Sequence, residues 1–126
     1  IGNDRVMKLF EPVDRWANEN VDIPGEVFRS FIQEFFHQDR FRRGQTRVCG
    51  RTVDPAAITC PFLNMAATRD WIVPIDSARM LNDLVGSETN HFVPIEGAHV
   101  GIMIDPRSRP LWTTMSDFLR GKAVEV

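Results

Sequence analysis

Hydrophobic positions recur along the chain in two rhythms, and the change from one to the other lays out its elements. After Pro24, the residues Val27, Phe28, Phe31, Ile32, Phe35 and Phe36 return at helical intervals, while Glu26, Arg29, Ser30, Gln33 and Glu34 fill the opposite face. This spacing predicts an amphipathic helix, with Pro24 in the first turn, where a missing N–H costs nothing. Residues 5–20 space Val6, Leu9, Phe10, Val13 and Trp16 in a similar way but are interrupted by Pro12, which predicts short helical pieces.

Residues 44–54, with Gly44, Gly50 and an alternation through Thr46 and Val48, predict a short hairpin or extended excursion. The apolar run from Ile58 to Ala66, with Pro61 near its start, predicts a buried strand whose early residues lie at a sheet margin. A helix is expected after Pro74: Ala78, Leu81, Leu84 and Val85 share a face, Asp76 or Ser77 caps the start, and Gly86 suits the stop. Residues 91–95 predict a second strand. Beyond a turn at Glu96-Gly97-Ala98-His99, a last helix carries Leu111, Trp112, Met115, Phe118 and Leu119 on one face, with Gly121 ending it.

The order strand, helix, strand, helix implies a right-handed crossover and two parallel strands covered by helices, an α/β arrangement. Two strands do not make a stable open sheet, so at least one edge expects partner strands. The apolar face formed by Phe28, Phe31, Phe35 and Phe36 likewise expects cover from a missing domain or a second copy.

Composition narrows the possibilities. At 126 residues, 43% hydrophobic and 25% charged with a net charge of -2, the chain has the make-up of one globular domain. Its 15 basic residues face 17 acidic ones, and the densest basic cluster (Arg40, Arg42, Arg43, Arg47, Arg51) is interrupted, so it reads as a solvated loop and no nucleic-acid partner is expected. Apolar stretches break well before the ~20 residues a membrane helix needs. Cys49 and Cys60 match neither a metal spacing nor a secreted disulfide framework. They are expected as buried packing cysteines in a reducing, cytoplasmic setting. The start, Ile1-Gly2-Asn3, reads as a cut rather than a natural beginning.

In parallel α/β sheets, ligands gather beyond the carboxyl ends of the strands, and Asp70 and His99 occupy those two places. A carboxylate accepting from one imidazole nitrogen fixes the tautomer and leaves the other nitrogen free to take a proton from a nucleophile. The nucleophile is expected upstream, because no Gly-x-Ser-x-Gly or Gly-x-Cys-x-Gly elbow occurs here. Other readings of these residues remain open. Asp70 also suits simple turn chemistry. Asp76 and Asp105 are rival acids, read as a helix cap and a loop residue. His37 and His91 read as exposed or capping, and Trp16 and Trp71 as packing aromatics.

The stretches Ile58-Thr59-Cys60-Pro61-Phe62-Leu63-Asn64 and Thr68-Arg69-Asp70-Trp71-Ile72-Val73-Pro74 resemble the acid-bearing turn of polyhydroxyalkanoate synthases. Leu81-Asn82-Asp83-Leu84-Val85-Gly86-Ser87 and Gly97-Ala98-His99-Val100-Gly101-Ile102-Met103 are similar to the helix and histidine turn that follow. A weaker likeness runs through Trp16, Ile23-Pro24-Gly25, Trp112 and Phe118-Leu119. The resemblance implies the C-terminal portion of an α/β-hydrolase fold, which when complete takes roughly twice this length. It also implies a mostly helical, cap-like segment over residues 1–45 and the hydrolase core over residues 46–126. The implied parent is an acyltransferase in which a cysteine thiolate accepts the acyl group of 3-hydroxyacyl-coenzyme A and passes it to a polyester chain. The coenzyme A thioester is then a substrate, and no separate cofactor is expected. Asp70 matches the acid and His99 the base. Without the nucleophile, this chain is expected to be inactive alone, to work with a missing N-terminal half or a homo-oligomer partner, and to act in the cytoplasm at polyester granules. An ester hydrolase, a polyester depolymerase and a non-catalytic interaction module are the competing readings.

Overall fold

The computed structural model describes residues 4–124, with side chains from residue 11 onward. The expected cut at Ile1–Asn3 and the side chains of Val6, Leu9 and Phe10 lie outside that description. The chain divides into two units, one ending at Phe41 and the other beginning at Arg42.

In the first unit, α1 (Asp4–Asn18) is one continuous helix through Pro12, not the short pieces that proline suggested. A proline removes one ladder hydrogen bond, and intact bonds on either side carry the helix past it. Helix α2 (Gly25–Phe31) forms where its pattern requires, with Pro24 as its N-cap, one residue ahead of the first turn expected for it. The continuation, Ile32–His37, winds as a π-helix. A wider turn places both the fourth and the fifth residue beside the first. Phe31 accordingly meets Phe35 at 5.1 Å and Phe36 at 5.5 Å between ring centroids. These aromatics and Phe28 remain 41–68% exposed.

The second unit opens with the expected hairpin, β1 (Arg47–Val48) antiparallel to β2 (Arg51–Thr52). Its two central residues, Cys49 and Gly50, have φ of 48° and 77°. Tight hairpin turns demand such positive values. Both cysteines are exposed, against the expectation that they pack inside. Cys49 sits at the tip of a hairpin whose strands are themselves exposed, and Cys60 lies in the bend before the sheet begins.

The sheet itself is β3 (Phe62–Ala67) paired in parallel with β4 (Asn90–Ile95), in register from Phe62 opposite Asn90 to Ala67 opposite Ile95. Helix α3 (Ile75–Leu84) makes the crossover. Its N-cap is Pro74, and neither Asp76 nor Ser77 caps it. Gly86 follows the helix as expected but for a different reason: an added Cβ would lie 2.1 Å from the Ala56 carbonyl oxygen. Strand β4 is followed by a short helix the sequence did not announce, α4 (Gly101–Ile104), then by α5 (Arg109–Leu119), with Gly121 at φ 69° closing it. Of the five residues assigned to one face of α5, Leu111 and Met115 join Val93, Ile95, Leu63, Met65 and Ile102 in the core, while Trp112 and Leu119 are exposed. The buried stripe is narrower than the apolar one.

Three asparagines lock α3 to the start of the strand pair. Asn64 Nδ2 donates to Ala78 O at 2.7 Å and Asn82 Oδ1 at 2.8 Å. Asn82 Nδ2 donates to Asn90 Oδ1 at 2.5 Å and His91 O at 3.1 Å, and Asn90 Nδ2 returns to Asn82 O at 2.7 Å. Replacing Asn82 with Ala strands part-buried donors and acceptors on both strands, so we expect a loss of about 1–2 kcal/mol in urea unfolding. An Asn82→Ala variant as stable as the parent chain would show that water replaces these bonds at no cost.

Candidate active site

The site is built by the ladder running past the ends of the strands. Thr68 N donates to Ile95 O and Arg69 N to Gly97 O, both at 2.9 Å, so the two chains leave the sheet side by side. Asp70 follows on one chain, and His99 sits in the turn on the other. His99 Nδ1 lies 2.7 Å from Asp70 Oδ2. With Nδ1 protonated it donates to the carboxylate, and Nε2 meets no partner among the described residues.

The other carboxylate oxygen performs turn chemistry: Asp70 Oδ1 accepts from the backbone N–H groups of Ile72 and Val73, both at 2.9 Å. The turn reading and the acid reading of Asp70 are therefore both satisfied, one on each oxygen. The Val73 amide does most to hold the Asp70 carboxyl below its ordinary value, and the bonds from His99 and Ile72 act in the same direction against partial desolvation. The Asp70 side chain is 8% exposed and that of His99 44%. A fixed, ionised acceptor thus stands behind an imidazole whose far edge is open.

The other candidates go elsewhere. Asp105 accepts from Arg107 N at 2.8 Å and from the Arg107 guanidinium at 2.6–3.2 Å, which caps the turn Pro106–Ser108. Asp76 lies in the first turn of α3. His91, expected exposed or capping, is part-buried in β4 with its ring edge-on to Phe118 at 6.3 Å. His37 ends the π-helix and is exposed. Trp16 and Trp71 do not pack as expected. Trp71 is 94% exposed, at a turn whose next two amides, Ile72 N and Val73 N, are tied back to Asp70. Among the described residues, neither cysteine hydrogen-bonds the pair, and no group of three His, Cys, Asp or Glu side chains is placed to hold a metal. A groove of about 500 Å³ beside the pair is lined by Arg69, Glu96, Gly97, Asp105 and Arg107 among others, and its charges balance.

The Arg107 guanidinium holds the Asp105 carboxyl at about 2, down from 3.8. Because the unfolded chain binds this proton first, the stabilisation is full above pH 3.8 and is lost as pH falls toward 2. We expect Asp105→Asn to flatten the decline of the urea midpoint over that interval. A variant and parent declining in parallel would contradict it.

No family model matches the chain, and no solved structure matches it. Curated relatives do. The chain is 34% identical over 103 residues to the poly(3-hydroxyalkanoate) polymerase subunit PhaC of Allochromatium vinosum, covering 82% of this chain and 29% of that protein. It is 29% identical over 103 residues to the subunit of the same name from Thiocystis violacea, again covering 82% and 29%. Against the subunit of Haloferax mediterranei it is 24% identical over 119 residues, covering 94% of this chain and 24% of the relative. The chain thus spans between 24% and 29% of the length of these relatives. Over that span, it belongs to the poly(3-hydroxyalkanoate) polymerase family.

Proposed function

We propose that Asp70 and His99 are the acid and base of a polyester-synthase acyltransfer site on an α/β-hydrolase fold, and that they serve a cysteine carried by polypeptide outside this chain. The 2.7 Å contact between His99 Nδ1 and Asp70 Oδ2 carries the reading. In the first half-reaction, His99 Nε2 takes the thiol proton, and the thiolate attacks the thioester carbonyl of 3-hydroxyacyl-coenzyme A. Coenzyme A leaves as its thiol, taking the proton back from His99, and Asp70 stabilises the imidazolium in between. In the second, His99 takes the proton of a chain-end hydroxyl as that oxygen attacks the acyl-cysteine, and the proton returns to the cysteine. The thioester is substrate, and the scheme needs no further cofactor.

The fold reading also has local support. The hydrogen bonds flanking the pair put the even-numbered amides of β3 and the odd-numbered amides of β4 between the strands. Position 94 therefore faces the outer edge of β4, and Pro94 has no N–H to offer there, which suits a sheet margin. The outer edge of β3 is left to continue the sheet. Residues 1–45 would belong to a cap. No helix among the described residues is long and apolar enough to cross a membrane, and we place the parent enzyme in the cytoplasm at the surface of its polyester.

The test is a chimera in which this chain replaces the matched segment of the Allochromatium vinosum polymerase, supplied with 3-hydroxybutyryl-coenzyme A. Insoluble polyester with release of coenzyme A is expected. Free 3-hydroxybutyrate without polyester would favour an ester hydrolase, and a folded chimera that releases nothing would overturn the reading.

A further inference from the structure

We propose that Gly97 is a positioning residue for the acid and base: only a residue without Cβ lets Ile102 close the loop that aims His99 at Asp70. The inference rests on the acid–base reading above and adds to it the element that sets the spacing of the pair. Gly97 has φ of 156°, and a Cβ built on it would stand 2.7 Å from Ile102 Cγ2. Its carbonyl accepts from Arg69 N at 2.9 Å, which ties this point to the residue before the acid. Three residues beyond the base, Ile102 N donates to Ala98 O at 3.1 Å. The loop from Gly97 to Ile102 is therefore fastened at both ends, and His99 lies between.

Magnitudes decide which part would yield if a methyl were added. Carbon atoms pack at about 3.5–4.0 Å, so roughly 1 Å must be found. Cγ2 is a branch directly on Cβ, with little rotamer freedom. Ile102 also packs against Val93, Ile95 and Leu111. The loop is the softer partner. The His99–Asp70 bond, at 2.7 Å, tolerates only about 0.5 Å of lengthening before it leaves hydrogen-bond range. The displacement is therefore large enough to break the pair.

The full chain tests this by NMR. The readouts are the low-field Nδ1–H resonance and ring tautomer of His99, with methyl resonances of Val93, Ile95 and Leu111 reporting the core. Gly97→Ala should lose the Nδ1–H resonance while the core methyls hold. Adding Ile102→Leu, which conserves volume but removes Cγ2, should recover part of it. Gly101→Ala is the control: its Cβ would meet Ala98 Cβ at an ordinary 3.7 Å, and the resonance should stay. A Gly97→Ala chain with an unchanged resonance overturns the inference. So does loss of the core methyls in both Gly97 variants, or loss of the resonance in Gly101→Ala. In the chimera, Gly97→Ala should lower kcat about 100-fold with KM little changed. If the NMR results hold but the parent chimera is inactive, the functional reading fails and the positioning role stands.

Discussion

Replacing Asp70 with Asn in the polymerase chimera is expected to lower turnover by about 10²–10⁴-fold while leaving the thermal melt nearly unchanged. The two oxygens of Asp70 make this separation possible. The Asn carbonyl can still accept from Ile72 N and Val73 N, so the turn after β3 keeps both bonds. What changes is the group facing His99: an NH₂ that donates in place of an oxygen that accepts. Nδ1 of the imidazole must then be the acceptor, its proton moves to Nε2, and the open edge can no longer take a proton from a thiol. His99→Ala should cost about as much, since the two act as a unit, and the double variant little more than either. Asp70→Ala, by contrast, should also lower stability, because two backbone donors lose their acceptor. Coenzyme A release followed beside thermal melts checks all four variants. An Asp70→Asn chimera within threefold of the parent would mean that Asp70 serves the turn alone.

That the pair could be picked out at all follows from the regular part of the fold. Two apolar runs with a helical stripe between them leave a parallel pair as the economical arrangement, and the turns just past the carboxyl ends of such strands fall on one rim; Asp70 and His99, each in one of those turns, meet there. Elsewhere, single residues hold two physical meanings. Phe31, Phe35 and Phe36 fit an α-helical stripe and a π-helical cluster equally well, because residues four and five apart are both aromatic. Asn64, Asn82 and Asn90 lie far apart in sequence with no pattern that links them, and only the parallel register with its crossover helix brings their amides together. The cysteines follow a general preference for burial that a hairpin tip and a pre-strand bend both override. Short helix α4 has no periodicity to read in its four residues. The clearest case is Gly86, where the expected role, a helix stop, and the one found differ: its constraint comes from a carbonyl thirty positions upstream, which no local pattern contains.

Gly86 therefore makes a sharp stability prediction. Gly86→Ala should destabilise the chain by about 2–3 kcal/mol, seen as a lower urea midpoint at unchanged slope. Its backbone carries no left-handed φ, so the expected cost is steric, a Cβ 2.1 Å from Ala56 O. That oxygen has little room to retreat. Ala56 lies in the turn Pro55–Ala57, where Asp54 Oδ1 accepts from Ala56 N at 3.0 Å and Pro55 is buried. On the other side, Ser87 is buried, with its hydroxyl donating to Thr89 O at 2.9 Å, so the segment leaving α3 is pinned as well. Because the clash is with backbone, trimming Ala56 to Gly should not rescue the variant. Gly25→Ala is the control: nothing lies within 4 Å of its built Cβ, and its effect should stay within about 0.5 kcal/mol. Equal midpoints for Gly86→Ala and the parent would show that the turn carrying Ala56 can move away. A loss that Ala56→Gly repairs would move the constraint from the carbonyl to the side chain.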